Sequence, residues 1–283
     1  MSELNVNNIT KSTGTEVVVN DASEDVDFRV ESNGNANMLT VNGGSNIVGV
    51  AADPDLGVGL HIKSADSGAS VDSYADELVV EGSGNSGLTI ASGNSSEGSI
   101  YFADDGDTNK GRVVYYHASD SVSHWVNDLE SLKIDSAGAV TKPLQPAFLA
   151  YASSTTNVTG DGTIITIVYG NEVFDQGGDY DTTTGIFTAP ITGRYIVSTT
   201  FEFEPDSNHD TTYGYFISSN RSYPIFWQNP SATESAAGLL DIMGSTVLDM
   251  DSGDTVFVRW MVSGGSKTSD YGTGNTFGGY LIC

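Results

Sequence analysis

The 283-residue sequence predicts an all-β protein in two parts: a short-stranded β stalk over residues 1–145 and a two-sheet β-sandwich head over residues 146–283, assembled as an intertwined or parallel homotrimer. Three observations carry that reading. Gly is plentiful (33 residues) and Pro scarce (7), and Val, Thr, Ser, Tyr and Ile dominate the patterned stretches, which is the profile of a turn-rich β protein. No window repeats apolar residues at helical spacing for three turns. Short runs instead alternate apolar with polar residues and end in Gly, Asn or Asp, as half-buried strands do.

Composition also excludes several functions. The chain has 11 basic and 37 acidic residues, a formal net charge of -26, and that field repels phosphate backbones, so no nucleic-acid partner is expected. The acid is spread through both halves and reads as a solubilising surface. A single cysteine, Cys283, leaves no intrachain disulfide and no Cys-based zinc site. The opening "MSELNVNNITKSTG" has no basic start and no apolar core, and no run of about 18 apolar residues occurs. The expectation is synthesis in a host cytoplasm without a cleaved secretion signal, and no membrane insertion.

Residues 1–145 read as strands separated by polar turns. Four segments share one pattern: "FRVES" from Phe28, "LHIKS" from Leu60, "LTIAS" from Leu88 and "LKIDS" from Leu132. Gly follows each within a few residues, supplying positive φ for a turn. Their uneven spacing rules out a solenoid of fixed period. Strands this short cannot build a core within one chain, but a parallel trimer would place positions such as Leu60 and Ile62 around a common axis three times over. Further on, Ser99 to Ala103 and Arg112 to His117 flank a polar loop like a hairpin, with a third strand following.

"TKPLQPAF" marks the join, where Pro143 and Pro146 bar a helix. Beyond it the strands lengthen. In "GRYIVSTTFEFE", Tyr195, Val197, Thr199, Phe201 and Phe203 face one way, and Ser198, Thr200, Glu202 and Glu204 the other. About eight such strands fit one sandwich.

Four ordered blocks then resemble the C1q/TNF-like jelly-roll family over nearly all of residues 146–283. "PAFLAY" begins at Pro146. Tyr180, Gly185, Phe187, Thr188, Pro190, Gly193 and Tyr195 match the central signature of an aromatic residue, Gly, then Phe-Thr-x-Pro-x-x-Gly-x-Tyr. "VLDMDSGDTVFVRW" supplies Leu248, Gly253, Asp254 and Val256, and "TFGGYLI" closes the domain with Phe277 and Gly279. The resemblance implies a compact jelly roll that assembles as a tight trimer and binds without catalytic machinery. No collagen repeat precedes it. The stalk resembles instead the β modules of bacteriophage fibre proteins, in which openings like "MSELNVNNITKSTGT" recur. Together these imply a phage tail fibre or spike on the virion surface, joined to other virion proteins through its N-terminal region. The alternative is a capsid decoration, cement or head-fibre protein that stabilises the coat.

Other motifs read as structural. "GSGNSG" from Gly82 matches a dinucleotide fingerprint but leads into strand and turn, with no helix N-terminus to hold a pyrophosphate. Asp105, Asp107 and Asn109 alternate as in a calcium loop, but Lys110 stands where an EF-hand loop needs Gly, and Tyr116 where it needs Glu. A polar hairpin connection is the favoured reading there, with a weak surface calcium site as the alternative; no cofactor is expected. His61, His117, His124 and His209 have no second ligand at metal spacing. No G-x-S-x-G elbow occurs, and Glu202 and Glu204 read as a wet strand face rather than paired acids. Candidate receptor contacts lie instead in "EPDSNHDTTYGY" and "RSYPIFWQNPSAT". Asp206, Asn208, His209, Tyr223, Trp227 and Asn229 together could stack on a sugar face and hydrogen-bond its hydroxyls, making a host surface glycan or protein the expected ligand. The competing expectation is that Tyr223 and Trp227 pack within the head or between subunits.

Overall fold

The structure is a computed structural model that describes residues 28–32, 35–42, 47–50, 59–204, 209–232 and 238–283. It divides into two compact units, one ending at Ala91 and one running from Ser92 to Cys283.

The first unit contains one five-stranded sheet in sequential order: β1 (Phe28–Ser32), β2 (Asn35–Asn42), β3 (Ile47–Val50), β4 (Leu60–Lys63) and β5 (Leu78–Glu81). β1 to β3 pair antiparallel, while β3, β4 and β5 pair parallel. "FRVES" and "LHIKS" therefore form strands as expected. "LTIAS" does not: residues 88–92 pair with no described strand, and Leu88 and Ile90 stay exposed. Alternation without a neighbouring strand has no ladder to join.

Within a single chain the two faces of this sheet are the reverse of what alternation alone suggests. Leu60 and Ile62 point outward, whereas His61, Lys63 and Glu81 are buried. Glu81 makes that burial tolerable. One carboxylate oxygen accepts from the backbone N–H and the hydroxyl of Ser67 at 2.7 and 2.8 Å. The other lies 2.9 Å from His61 Nε2 and 3.4 Å from Lys63 Nζ. The Ser67 hydrogen bonds, helped by Lys63, outweigh burial and hold the Glu81 carboxyl down to about 2.

In the second unit, β6 (Glu97–Phe102), β7 (Gly111–Tyr116), β8 (Ser121–Val126), β9 (Leu129–Ile134) and β10 (Val140–Thr141) form an antiparallel meander. The hairpin expected around Ser99 and Arg112 is β6 and β7, and β8 is the third strand. Asn127 and Asp128 join β8 to β9 with φ of 52° and 60°, the positive values that a two-residue hairpin turn of this hand needs and that Asn and Asp tolerate. The Arg112 guanidinium sits over the Trp125 ring at 4.2 Å.

The head is a two-sheet sandwich of short strand segments: β11 (Ala147–Tyr151), β12 (Thr155–Thr159), β13 (Ile164–Thr166), β14 (Asn171–Gln176), β15 (Tyr180–Asp181), β16 (Ile186–Thr188), β17 (Gly193–Glu204), β18 (Thr211–Ser218), β19 (Ser222–Gln228), β20 (Leu240–Met250), β21 (Thr255–Ser263), β22 (Ser269–Tyr271) and β23 (Thr276–Leu281). One sheet runs β12-β22-β17-β23-β11-β14, with β20 on the far side of β17. The other runs β15-β16-β21-β18-β19, with β13 against β21. These segments outnumber the roughly eight expected because turns and bulges divide the longer runs. β17 alternates as the sequence predicts, with Tyr195, Val197, Thr199, Phe201 and Phe203 buried.

The core is organised around Phe148. Its ring lies stacked against Tyr180 at 4.9 Å and Phe187 at 4.6 Å, and Phe277 meets it edge-on at 5.0 Å. Gly279 leaves room for it, since a Cβ there would stand 3.2 Å from Phe148 Cε1 and 2.8 Å from the Ile196 carbonyl oxygen. The remaining signature residues are turn devices. Gly185 has φ of +75° and its N–H donates to the Asp181 carbonyl at 2.8 Å. Gly253 has φ of +94° and donates to Ala189 O at 2.8 Å, while Asp254 O accepts from Ala189 N at 2.8 Å. That exchange clips the turn before β21 to the segment containing Pro190. Gly193 opens β17 where a side chain would strike Cys283 O and Leu281, and the Tyr195 hydroxyl donates to Ile191 O at 2.8 Å. The join is pinned by Gln176, whose side-chain amide donates to Gln145 O and Lys142 O at 2.7 and 2.9 Å.

Two outcomes follow. Phe148→Ala removes one ring from three contacts and lowers head stability by about 3–5 kcal/mol, measured by denaturant unfolding. Glu81 contributes stability that is complete above its unfolded value of 4.5 and is lost as pH falls through about 2. Glu81→Gln therefore lowers amide protection of β4 and β5 at neutral pH, and the difference from the parent closes in acid. A difference that persists at low pH contradicts the assignment.

Candidate functional site

The two sheets of the head turn very different outer faces to solvent. On the β15-β16-β21-β18-β19 sheet, β18 alternates strictly: Thr212, Gly214, Phe216 and Ser218 point inward, and Tyr213, Tyr215 and Ile217 point outward. Register places Tyr213 opposite Trp227 and Met261, Tyr215 opposite Arg259, and Ile217 opposite Ser222 and Phe257. These residues bound an open cleft of about 320 Å³ lined by Tyr213, Tyr215, Ile217, Ser222, Trp227 and Arg259. Tyr213 lies 5.8 Å from the Trp227 ring and meets Tyr215 edge-on at 5.3 Å. Trp227 is 70% exposed.

A β-bulge decides which aromatics reach this cleft. By simple alternation Tyr223 and Trp227, four residues apart on one strand, share a face. The ladder between β18 and β19 instead slips between Gly214 and Tyr215, with Gly214 opposite Phe226 and Tyr215 opposite Pro224, so that Ile225 is the extra residue. The phase of β19 flips there. Tyr223 pairs with inward Phe216 and packs against the core, its ring under the Arg221 guanidinium at 5.5 Å. Phe226 turns in against Phe201 and Phe203 at 5.0 and 5.8 Å, and Trp227 turns out. Gly214 is required beneath it, because a Cβ there would collide with Phe226 and stand 2.9 Å from Phe201 Cζ.

The expected contact set is therefore rearranged. Trp227 and Asn229 are exposed; the Asn229 side-chain oxygen accepts from the Ser231 hydroxyl at 2.8 Å. Tyr223 faces the core. His209 is a correction: it is 1% exposed, with Nε2 2.9 Å from Ser266 O and Nδ1 3.3 Å from Ser269 Oγ, so it ties two loops together and presents nothing to a ligand. Asp206 and Asn208 lie outside the described residues. Tyr213, Tyr215 and Arg259 were not singled out from sequence, although "TTYGYFIS" carries the signal: two tyrosines at strand spacing with Gly and Phe at the alternate positions.

The outer face of the other sheet carries an uncharged patch at its centre, between the cross-strand pairs Arg194 with Asp249 and Glu202 with Asp241. Leu149 stands between Phe174 on β14 and Gly278 on β23, and Ile196 between Tyr280 and Val247. A shallow cleft of about 320 Å³ opens there between Phe174, Ile196 and Tyr280. Met243 is 79% exposed nearby on β20.

In the β6 to β7 loop, Asp107 accepts from Asn109 N–H at 2.9 Å and pairs with Lys110 at 3.1 Å. These two groups hold its carboxyl below the usual range. Asp104 caps the backbone of Gly106 and Asp107 at 2.8 Å each. Among the described residues no group of three His, Cys, Asp or Glu side chains is placed to hold a metal ion, and no helix is long and apolar enough to cross a membrane.

The division of β19 into inward and outward aromatics sets a mutational contrast. Trp227→Ala changes head stability by no more than about 0.5 kcal/mol, whereas Phe226→Ala costs roughly 3 kcal/mol or more. Thermal unfolding of the two variants reads the difference.

Residues 147–282 match the family described as the C1q domain. Solved structures similar to the chain include the globular domain of zebrafish complement 1qA, at 19% identity and TM-score 0.37, covering 49% of this chain and 98% of that one. Murine APRIL is also similar, at 12% identity and TM-score 0.35, covering 49% of this chain and 99% of that one. No curated protein matches the chain.

Proposed function

Because residues 147–282 form a C1q domain, we propose that this chain is a trimeric bacteriophage fibre or spike protein whose head binds a neutral glycan on a host surface. The observation that carries the reading is the open cleft of Tyr213, Tyr215 and Trp227 beside Arg259. Flat exposed rings stack on the apolar face of a sugar, and the guanidinium, the two phenols and the Ser222 hydroxyl supply hydrogen bonds around its rim. A net charge of -26 opposes approach of a polyanion at long range, which favours a neutral saccharide over an acidic one. Nothing in the cleft pairs a nucleophile with a base, so the chemistry on offer is recognition.

The uncharged face formed by Leu149, Phe174, Ile196, Val247 and Tyr280 is the surface by which three heads associate. Burying it leaves the aromatic cleft on the opposite sheet facing out in three copies. Single-site binding of small saccharides is weak, and avidity multiplies it when three clefts engage one surface. The N-terminal region joins the protein to the virion, and the head is the distal part.

Trp227 gives the test its readout. Titration of the purified protein with neutral oligosaccharides built from glucose, galactose, rhamnose and N-acetylglucosamine quenches or shifts the Trp227 emission for at least one of them. Trp227→Phe removes that signal, and Arg259→Gln weakens the binding at least tenfold by calorimetry. Binding that survives both Trp227→Ala and Arg259→Gln unchanged, or a complete absence of saccharide binding, overturns the reading.

A further inference from the structure

Two five-stranded sheets, one in each compact unit, leave an aliphatic face uncovered. In the first, cross-strand register aligns Val41, Val48, Leu60 and Leu78 in one row. Val30, Leu39, Val50, Ile62 and Val80 form a second row, two residues along each strand. No charged or polar residue interrupts either row. Leu60, Ile62, Leu78 and Val80 are 36%, 38%, 54% and 37% exposed, while the face behind them, with apolar Ile47 and Val79 beside His61, Lys63 and Glu81, is buried.

The second sheet repeats the pattern. Tyr115, Val122, Ile134 and Val140 align across β7 to β10. Ile100, Val113 and Leu132 form the next row, broken only by His124 between the last two. Phe102, Val126 and Leu129 edge the face at 59%, 63% and 51% exposure. The opposite face is mixed and better covered: Val114 is 1% exposed beside buried Ser121 and Ser123, and the Ser123 hydroxyl donates to Glu130 at 2.6 Å.

We infer that both faces are interfaces between copies of this chain, each covered by the same face of the other copies in a trimer. A sheet with one apolar face needs a second layer, and patches of this extent are rare on monomers. Three considerations select another copy as that layer. Identical copies bring each face to its own counterpart, whereas a different partner would need two matching surfaces. The faces are uncharged in a chain of net charge -26, so like copies meet where their repulsion is least. Apolar sheet faces also pack against one another at ordinary sheet spacing. The inference rests on the trimer reading above and extends it from the head to the rest of the chain.

Cysteine chemistry on the full chain tests it, with Cys283→Ser as the background because Cys283 is free and exposed. Ile62→Cys and Ile100→Cys are placed singly, with Tyr74→Cys as the exposed control (95%) and Val247→Cys reporting on the head face. Expected is slow labelling of the Ile62→Cys and Ile100→Cys variants by a monofunctional maleimide, at least tenfold below the Tyr74→Cys control, together with covalent dimers formed by a short bismaleimide. Labelling as fast as the control overturns the inference. Protection without interchain cross-linking also overturns it, because the chain would then be covering its own face. Protection of Val247→Cys beside free labelling of Ile62→Cys and Ile100→Cys leaves the head trimer standing and removes only the extension; free labelling of all three removes both. Loss of folding in a cysteine variant is recognised by circular dichroism, and Leu78→Cys and Val113→Cys on the same faces then take its place.

Discussion

The head depends on the stacking of Phe148 against both Tyr180 and Phe187, with Phe277 closing the cluster edge-on. Each ring comes from a different strand: β11, β15, β16 and β23. Aromatic contact therefore joins both sheets of the sandwich at one point, and the long β17 lies across it through Tyr195, 5.6 Å from Phe187. The glycines of the signature are positioned around the same cluster. Gly279 makes room for the Phe148 ring, and Gly185 turns the chain between Tyr180 and Phe187. Residues far apart in sequence form one motif because they surround one side chain.

Much of this was legible before the structure. The alternation of β17, the turn glycines and the closing "TFGGYLI" are local signals, and local signals survive folding when burial follows strand parity. What was hidden depends on pairing between strands. The bulge at Ile225 leaves no trace in composition, yet it sends Tyr223 inward and Trp227 outward, separating two aromatics that the sequence groups together. His209 fails for a related reason: a polar loop residue reads as exposed, and only the structure shows Ser266 and Ser269 closing over it. Tyr213, Tyr215 and Arg259 are drawn together by register across two strands, β18 and β21.

The same reasoning explains the N-terminal sheets. Alternation in "LHIKS" correctly separates Leu60 and Ile62 from His61 and Lys63, but alternation cannot say which set is inside. The chain buries the charged set, because Glu81 and Ser67 satisfy it, and leaves the aliphatic set outward. That choice is costly for an isolated chain and economical for an assembly, in which apolar surface is most useful where copies meet. The head has a related contrast, with an uncharged central patch on one sheet and an aromatic, hydrogen-bonding cleft on the other. The acidic residues, which give the chain a net charge of -26, oppose association through the charged surfaces.

A binding head presented in three copies is the central claim, and the mass of the intact protein tests it most directly. Native mass spectrometry of the full chain at neutral pH and modest ionic strength should give a species of three times the 29.7 kDa chain mass, persisting on dilution to nanomolar concentration. A protein that remains at the mass of one chain at micromolar concentration contradicts the account, since the uncharged faces of the head and of both sheets would then have to be tolerated in water.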